Sequence, residues 1–234
     1  LSLNVGITHD EAHSYWVWEL NRNKIYNILI NSNHDVSYLE TYHGYYGAGF
    51  YLVSTPLEFF FTKLLNIANI SQEGNNLLLK HPTVFIFFII SGIYFKKIIY
   101  FLTDSKLFAN FSTILFLTYP YLIGHSLFNI KDIPVMSIWL VCTYFYIRIL
   151  NDFFFKSKVI KKKLIILSLL TAYLLSLRIS GLLIFIEYLI FLLFYVTVFK
   201  INFFIFLRKN LYNKLIFFTL FLVATYIFYP SFWS

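Results

Sequence analysis

This chain has little charge for its length. Asp, Glu, Lys and Arg supply only 13% of its 234 residues, where a water-soluble domain carries about a quarter. That shortage excludes an ordinary soluble domain and points to a lipid environment. There is one cysteine, Cys142, so no internal disulfide framework exists. It falls inside an apolar run, which suits a buried or lipid-facing thiol. No internal repeat is present. The opening "LSLNVGI" has neither a charged n-region nor a small-residue cleavage site, so it is not a secretory signal. A chain that starts on Leu and stops at "YPSFWS" reads as a piece of a longer protein, with membrane helices expected before and after it.

What is abundant is apolar. Hydrophobic residues make up 59% of the chain and its mean hydropathy is +0.69. The 29 Phe and 19 Tyr, alongside common Ile, Asn and Lys, fit the codons of an AT-rich genome and carry no functional information by themselves. Spanning a bilayer takes about 17 to 25 apolar residues. Such runs lie near 82–102, 108–125, 133–150, 164–178, 180–199 and 214–230. The expected fold is therefore all-α, a polytopic bundle of about six spans over 81–234, preceded by a first loop over 1–80. The fourth and fifth runs meet at "SLRISGLL", where Arg178, Ser180 and Gly181 make the only break, predicting a tight hairpin.

Basic residues set the orientation. Lys156, Lys158, Lys161, Lys162 and Lys163 fill one loop, and Lys200, Arg208, Lys209 and Lys214 another. Lys96, Lys97, Lys106 and Arg148 flank the same side, giving thirteen of the nineteen Lys and Arg. The positive-inside rule assigns that side to the cytoplasm. Residues 1–80, the loop 126–132, the hairpin 178–181 and the C-terminal end then face outward, with eight of the eleven acids and all six histidines. The formal charge of +8 is thus a topology signal, and a nucleic-acid partner is excluded.

Within 1–80, Tyr15, Trp18, Ile25 and Leu29 recur at three- and four-residue spacing, interrupted by Arg22. This predicts an amphipathic helix over 10–30 lying on the membrane surface. A Gly/Tyr loop, "YHGYYGAGFY", follows. Then "TPLEFFFTKLLNIA" places Thr55 as N-cap and Pro56 at the first position of a second interfacial or re-entrant helix.

Four groups of residues carry possible chemistry. In "THDEAHSYWVWEL" (8–20), Thr8 and Glu11 form a capping box. Asp10, at the second helical position, suits the helix dipole. The dipole also keeps Asp10 ionised, fit for a metal ligand or a base, with His13 three residues on. Structural and functional readings of Asp10 both stand. In "GHSLFNIKDIPVM" (124–136), Asp132 and Pro134 can open a helix. Yet His125, Asn129, Lys131 and Asp132 together exceed what a cap requires. Lys131 runs against the charge bias, as a group for an anion such as phosphate would. Arg178 on the outer hairpin either joins it or snorkels. Glu187 lies inside a span, where a hydrogen bond from a neighbouring helix would satisfy it; it has no assigned role.

These stretches resemble a known pattern. "DEAH" (10–13), "YYG" (45–47), "GHSLFNIKDIP" (124–134), "RISGLL" (178–183) and the terminal "YPSFW" (229–233) are similar, in family order, to the GT-C membrane glycosyltransferases. Closest in pattern are bacterial members of glycosyltransferase family 39, the dolichyl-phosphate-mannose–protein mannosyltransferase-like group. The family more often reads Asn-Pro-Lys-Asp, whereas Ile130 stands in place of that Pro here. The resemblance implies inverting transfer of a sugar from a polyprenyl-phosphate donor to a lipid, glycan or protein acceptor, on the extracytoplasmic face of a bacterial inner membrane. It implies Asp10 as the catalytic carboxylate and Glu11 beside it. Lys131, Arg178 and Asn129 fall on the donor phosphate. His13, His125, Asp132, Tyr45 and Tyr46 fall in support, with Tyr offering a stacking face and a hydroxyl to a sugar. A divalent metal is compatible with this set, but no ligand spacing demands one. The competing expectation is a transporter or lipid-handling protein, with Glu187 and Arg178 paired near the bilayer midplane in a pathway.

Overall fold

The computed structural model describes residues 9–26, 48–65, 80–156, 161–200 and 211–229, leaving aside the side chains of 9–13 and of a few residues at helix ends. These residues are helical, with no strand among them. In chain order they form α1 (His9–Tyr26), α2 (Gly49–Leu65), α3 (His81–Thr103), α4 (Lys106–Thr118), α5 (Pro120–Ser126), α6 (Asp132–Lys156) and α7 (Lys161–Leu177). A 3-10 turn (Ile179–Leu183) then runs into α8 (Ile184–Val198), and α9 (Leu211–Phe228) follows.

Four stretches are long and apolar enough to cross a membrane: α3, α6 up to Phe155, the 3-10 turn with α8, and α9. A fifth is broken. The run expected over 108–125 becomes α4 and α5, bent by 62°. Pro120 supplies the reason, since it forces extended backbone at Tyr119 (φ −63°, ψ 119°) and starts a new helix. The run 164–178 forms α7, which at 17 residues is the shortest of the expected spans. Its inward face is enclosed, with Leu164, Leu167, Thr171, Ala172, Leu174 and Ser176 all buried. Its buried Ser and Thr hydroxyls are met locally: Ser168 donates to Leu164 O at 2.8 Å and Thr171 to Leu167 O at 2.8 Å, the usual way a helix carries Ser and Thr in an apolar interior. Around α7 pack α6, the 3-10 turn, α9 and α2, while α3 joins α6 and α4.

Side-chain contacts fix the directions. Ser137 donates to Phe87 O at 2.7 Å, and Tyr94 meets Tyr144 edge-on, so α3 and α6 run parallel. Thr171 bonds Tyr188 across the antiparallel α7–α8 pair, and Tyr173 meets Phe228 across the parallel α7–α9 pair. Lys96, Lys97, Arg148 and Lys161 thereby share one end of the bundle, the basic end. His81, Asp132 and Arg178 share the other.

The 178–181 break is a tight hairpin, as expected. Arg178 is extended, Gly181 N–H donates to Arg178 O at 2.8 Å, and a Cβ at Gly181 would lie 2.8 Å from Leu174 O. Glycine is what lets the 3-10 turn lie against α7. Outward faces of the spans are greasy: Leu107, Phe111, Ile114, Ile190 and Leu222 are all exposed, as lipid contact requires.

Two expectations need correction. The second helix of the first loop begins at Gly49, not at Thr55, and Pro56 lies inside it. The apolar "GFYLV" before Thr55 has its own place to pack, with Phe50 against Phe87 and Tyr51 against Trp18. That burial outweighs the local cap signal. In α1, the buried stripe is Val17, Trp18, Asn21 and Lys24. Ile25 is only half-buried, so the face of α1 turned inward is not the one its apolar spacing suggests, and α1 is docked on protein. Asn21 survives there by donating to Val17 O at 3.0 Å.

Candidate functional site

The end opposite the basic one carries two polar groups of residues. The first is built on the α5–α6 connection. His125 closes α5, its ring set between those of Tyr121 and Phe128. Asn129 then organises the turn. Its Oδ1 accepts from Lys131 N–H at 3.1 Å and Asp132 N–H at 2.8 Å, satisfying donors at the start of α6 as a cap does. Its Nδ2 donates to Asp132 Oδ2 at 3.1 Å and meets His125 Nδ1 at 3.0 Å. Arg178, 46 positions on, pairs with Asp132 Oδ1. Both remain about half exposed, at 53% and 59%. His125, Asn129, Asp132 and Arg178 thus form one hydrogen-bonded set, with Lys131 within the same turn.

The second lies between α1, α2 and the first turn before α3. Tyr15, Trp18, Glu19 and Arg22 from α1 face Thr55, Glu58 and Phe59 from α2, and Lys80 closes a cavity of about 240 Å³. Two ion pairs line it: Arg22 with Glu19 along α1, and Lys80 with Glu58 of α2. The Lys80 ammonium sits over the Tyr15 and Tyr51 rings at 5.9 and 5.3 Å. Lys80 is 1% exposed. Burial pushes its pKa below the ordinary lysine value, and the hydrogen bond and charge of Glu58 pull it back up. Sequence reading missed this group, because its members come from three separate segments and each looks like an ordinary helix charge. The one trace was Arg22, which interrupts the apolar spacing of α1.

No protein-family model, curated protein or solved structure matches this chain.

The sequence-predicted residues therefore stand on the geometry alone. Asp10, Glu11 and His13 lie on the first turns of α1, and their side chains are outside the described residues, as are Tyr45 and Tyr46. By helical register Glu11 shares the face of Tyr15, Trp18 and Arg22, whereas Asp10 aligns with Val17 and Asn21. Among the described residues no three His, Cys, Asp or Glu side chains converge as a metal site would need. Glu187 is held inside the bundle by Trp139 Nε1–H and by Thr143 Oγ1–H at 2.5 Å. Arg178 pairs with Asp132 instead, so the charged Glu187–Arg178 pair that a transport pathway would use is not formed. A second, apolar crevice of about 280 Å³ between α6, α7, α8 and α9 has Tyr146, Leu167 and Phe217 on its walls and Asn213 and Lys214 at its edge.

Proposed function

We propose that this protein is a membrane glycosyltransferase that moves a sugar from a polyprenyl-phosphate donor to an acceptor hydroxyl on the extracytoplasmic face. The observation that carries the reading is the Asn129–Asp132–Arg178 set. Two of the stretches that resemble the family, far apart in sequence, supply one polar group at the end of an apolar bundle where α2 also docks.

In this reaction the acceptor oxygen attacks the anomeric carbon as the bond from that carbon to the phosphate oxygen breaks. The polyprenyl phosphate leaves with the bonding pair, and the acceptor proton passes to the Asp10 carboxylate, with Glu11 and His13 beside it. Negative charge grows on the leaving phosphate, so donors aimed at it lower the barrier. Lys131 and the N–H groups of Arg178 turned away from Asp132 fill that role. Asp132 and Asn129 fix the guanidinium and the turn, and His125 supports Asn129. The lipid tail stays in the bilayer along the apolar helix faces.

The test uses membranes carrying the complete gene product, supplied with radiolabelled polyprenyl-phosphate sugars, comparing wild type with Asp10→Asn at matched expression. Donor-dependent transfer that disappears in the variant supports the reading. Equal transfer in both removes Asp10 from the mechanism, and no transfer from any donor rejects the enzyme.

A further inference from the structure

The apolar crevice between α6, α7, α8 and α9 plays no part in the transfer step above, and its walls say what fills it. The two tyrosines in them are committed to protein. The Tyr146 hydroxyl donates to Tyr188 O at 2.8 Å, and the Tyr188 hydroxyl bonds Thr171 at 3.0 Å. An ordered water needs several polar partners, and such walls have theirs already engaged, so hydrocarbon suits the space. Phe185 bridges its outer end, meeting Phe221 of α9 edge-on at 5.4 Å. From Phe185 to Leu192 along α8 is about 10 Å at 1.5 Å per residue, which fits within the roughly 15 Å of one leaflet. Leu189 of α8 and Phe218 of α9 form the rims and are 49% and 51% exposed, so the crevice opens sideways to the bilayer.

Charge gathers at the basic end of this crevice. Lys214 stands at its edge, one turn before Phe217, and Lys161 lies one turn before the wall residue Leu164. The Lys161 ammonium is 5.8 Å from the Tyr212 ring of α9, which sets it between α7 and α9, and both Lys161 and Lys162 are exposed. Of the acids described at this end, Asp152 is paired with Lys163 and Asp104 closes α3, so cations are in excess. Basic pockets between membrane helices attract anionic lipid headgroups. We infer that this crevice holds one acyl chain of an anionic diacyl phospholipid from the leaflet at the basic end. The chain enters between Leu189 and Phe218, the head phosphate lies on Lys161 and Lys214, and the second chain stays in the bilayer. A neutral lipid has the chain without the charge, and free phosphate has the charge without the chain.

The experiment is native mass spectrometry of the full chain released from detergent micelles. The probes are dioleoyl phosphatidylglycerol and dioleoyl phosphatidylcholine, with a polyprenyl phosphate as competitor. Phosphatidylglycerol binds wild type at least about tenfold tighter than phosphatidylcholine. Lys161→Gln cuts that preference about fivefold, the effect of one lysine beside an anionic headgroup, and adding Lys214→Gln abolishes it. Leu189→Trp narrows the crevice and weakens both lipids about tenfold. Leu107→Ala, on the lipid-facing side of α4, binds as wild type does. The inference is overturned if the two phospholipids bind wild type equally, if the lysine variants keep the preference, or if Leu189→Trp binds as wild type does. It is overturned as well if the polyprenyl phosphate displaces phosphatidylglycerol, since the crevice would then belong to the donor. Lys161 and Leu189 are exposed, so their variants test the site without threatening the fold. No sugar donor takes part, so failure here and failure of the transfer reaction are told apart.

Discussion

Lys80→Met gives the sharpest test of how α1 and α2 are held to the bundle. The Lys80 side chain is 2% exposed and its Glu58 partner 15%. Deleting one member of a buried pair leaves the other charge uncompensated, at a cost of about 3–5 kcal/mol. Glu58 keeps some water, so the lower figure, about 3 kcal/mol, applies. At about 1.4 kcal/mol per factor of ten, the opening equilibrium of this layer rises roughly a hundredfold. Hydrogen exchange in nanodiscs reads it directly: amide protection across α2 falls by about that factor, while α7 is unchanged, since local opening need not involve the core. Lys80→Met combined with Glu58→Leu removes both charges and recovers most of the protection, because an apolar pair of similar volume is nearly neutral. Protection in α2 within about threefold of wild type in the single variant would refute the reasoning.

Three further outcomes are expected. Glu58→Gln removes the negative charge that helps hold the Lys80 pKa up, so it sinks further below its unfolded value. Between those two values the unfolded chain binds more protons, so stability increases with pH, and thermal unfolding of this variant improves, as pH rises toward the ordinary lysine pKa, more than wild type does. Gly49→Ala drives a methyl onto Ser176, 2.9 Å from its carbonyl carbon and against its Oγ; overpacking of this kind costs about 1–3 kcal/mol and shows as weaker α2 protection. Arg178→Ala breaks an exposed pair and shifts stability by less than about 1 kcal/mol, yet it abolishes transfer from the polyprenyl donor, which separates a binding role from a structural one.

Much of the helix layout was legible in the sequence because long apolar runs admit few alternatives. The hairpin at Arg178–Gly181 and the start of α6 at Asp132 follow from local chemistry that tertiary packing leaves intact. The start of α2 was not legible. Thr55 and Pro56 make a sound cap signal, but Gly49, Phe50 and Tyr51 gain more by packing on α7, α3 and α1 than the cap offers. The α1 stripe failed for a related reason: Asn21 and Lys24 are buried where α1 docks, and apolar spacing does not count an Asn that satisfies itself on the Val17 carbonyl of its own helix. The polar set of Asn129, Asp132 and Arg178 was foreseen as residues, while the bond between Arg178 and Asp132 needed the fold. The α1–α2 cavity was the least visible, since charges on three segments become a site only when the helices dock.

The bend at Tyr119–Pro120 also shapes the surrounding lipid. Thirteen residues of α4 rise about 20 Å at 1.5 Å each. The seven of α5 add about 10 Å along their own axis, and about half of that along α4 after a 62° turn. The sum falls short of the roughly 30 Å of hydrocarbon that a bilayer presents. If α4 and α5 form one broken span, then with Leu107, Phe111, Ile114 and Leu115 of α4 turned outward the leaflet beside it thins or dips, at a fraction of a kcal/mol per Å. The dip falls at the α5 end, beside His125. On the proposed reading, a phosphate carried on a long isoprenoid would meet the Asn129 turn there without leaving the membrane.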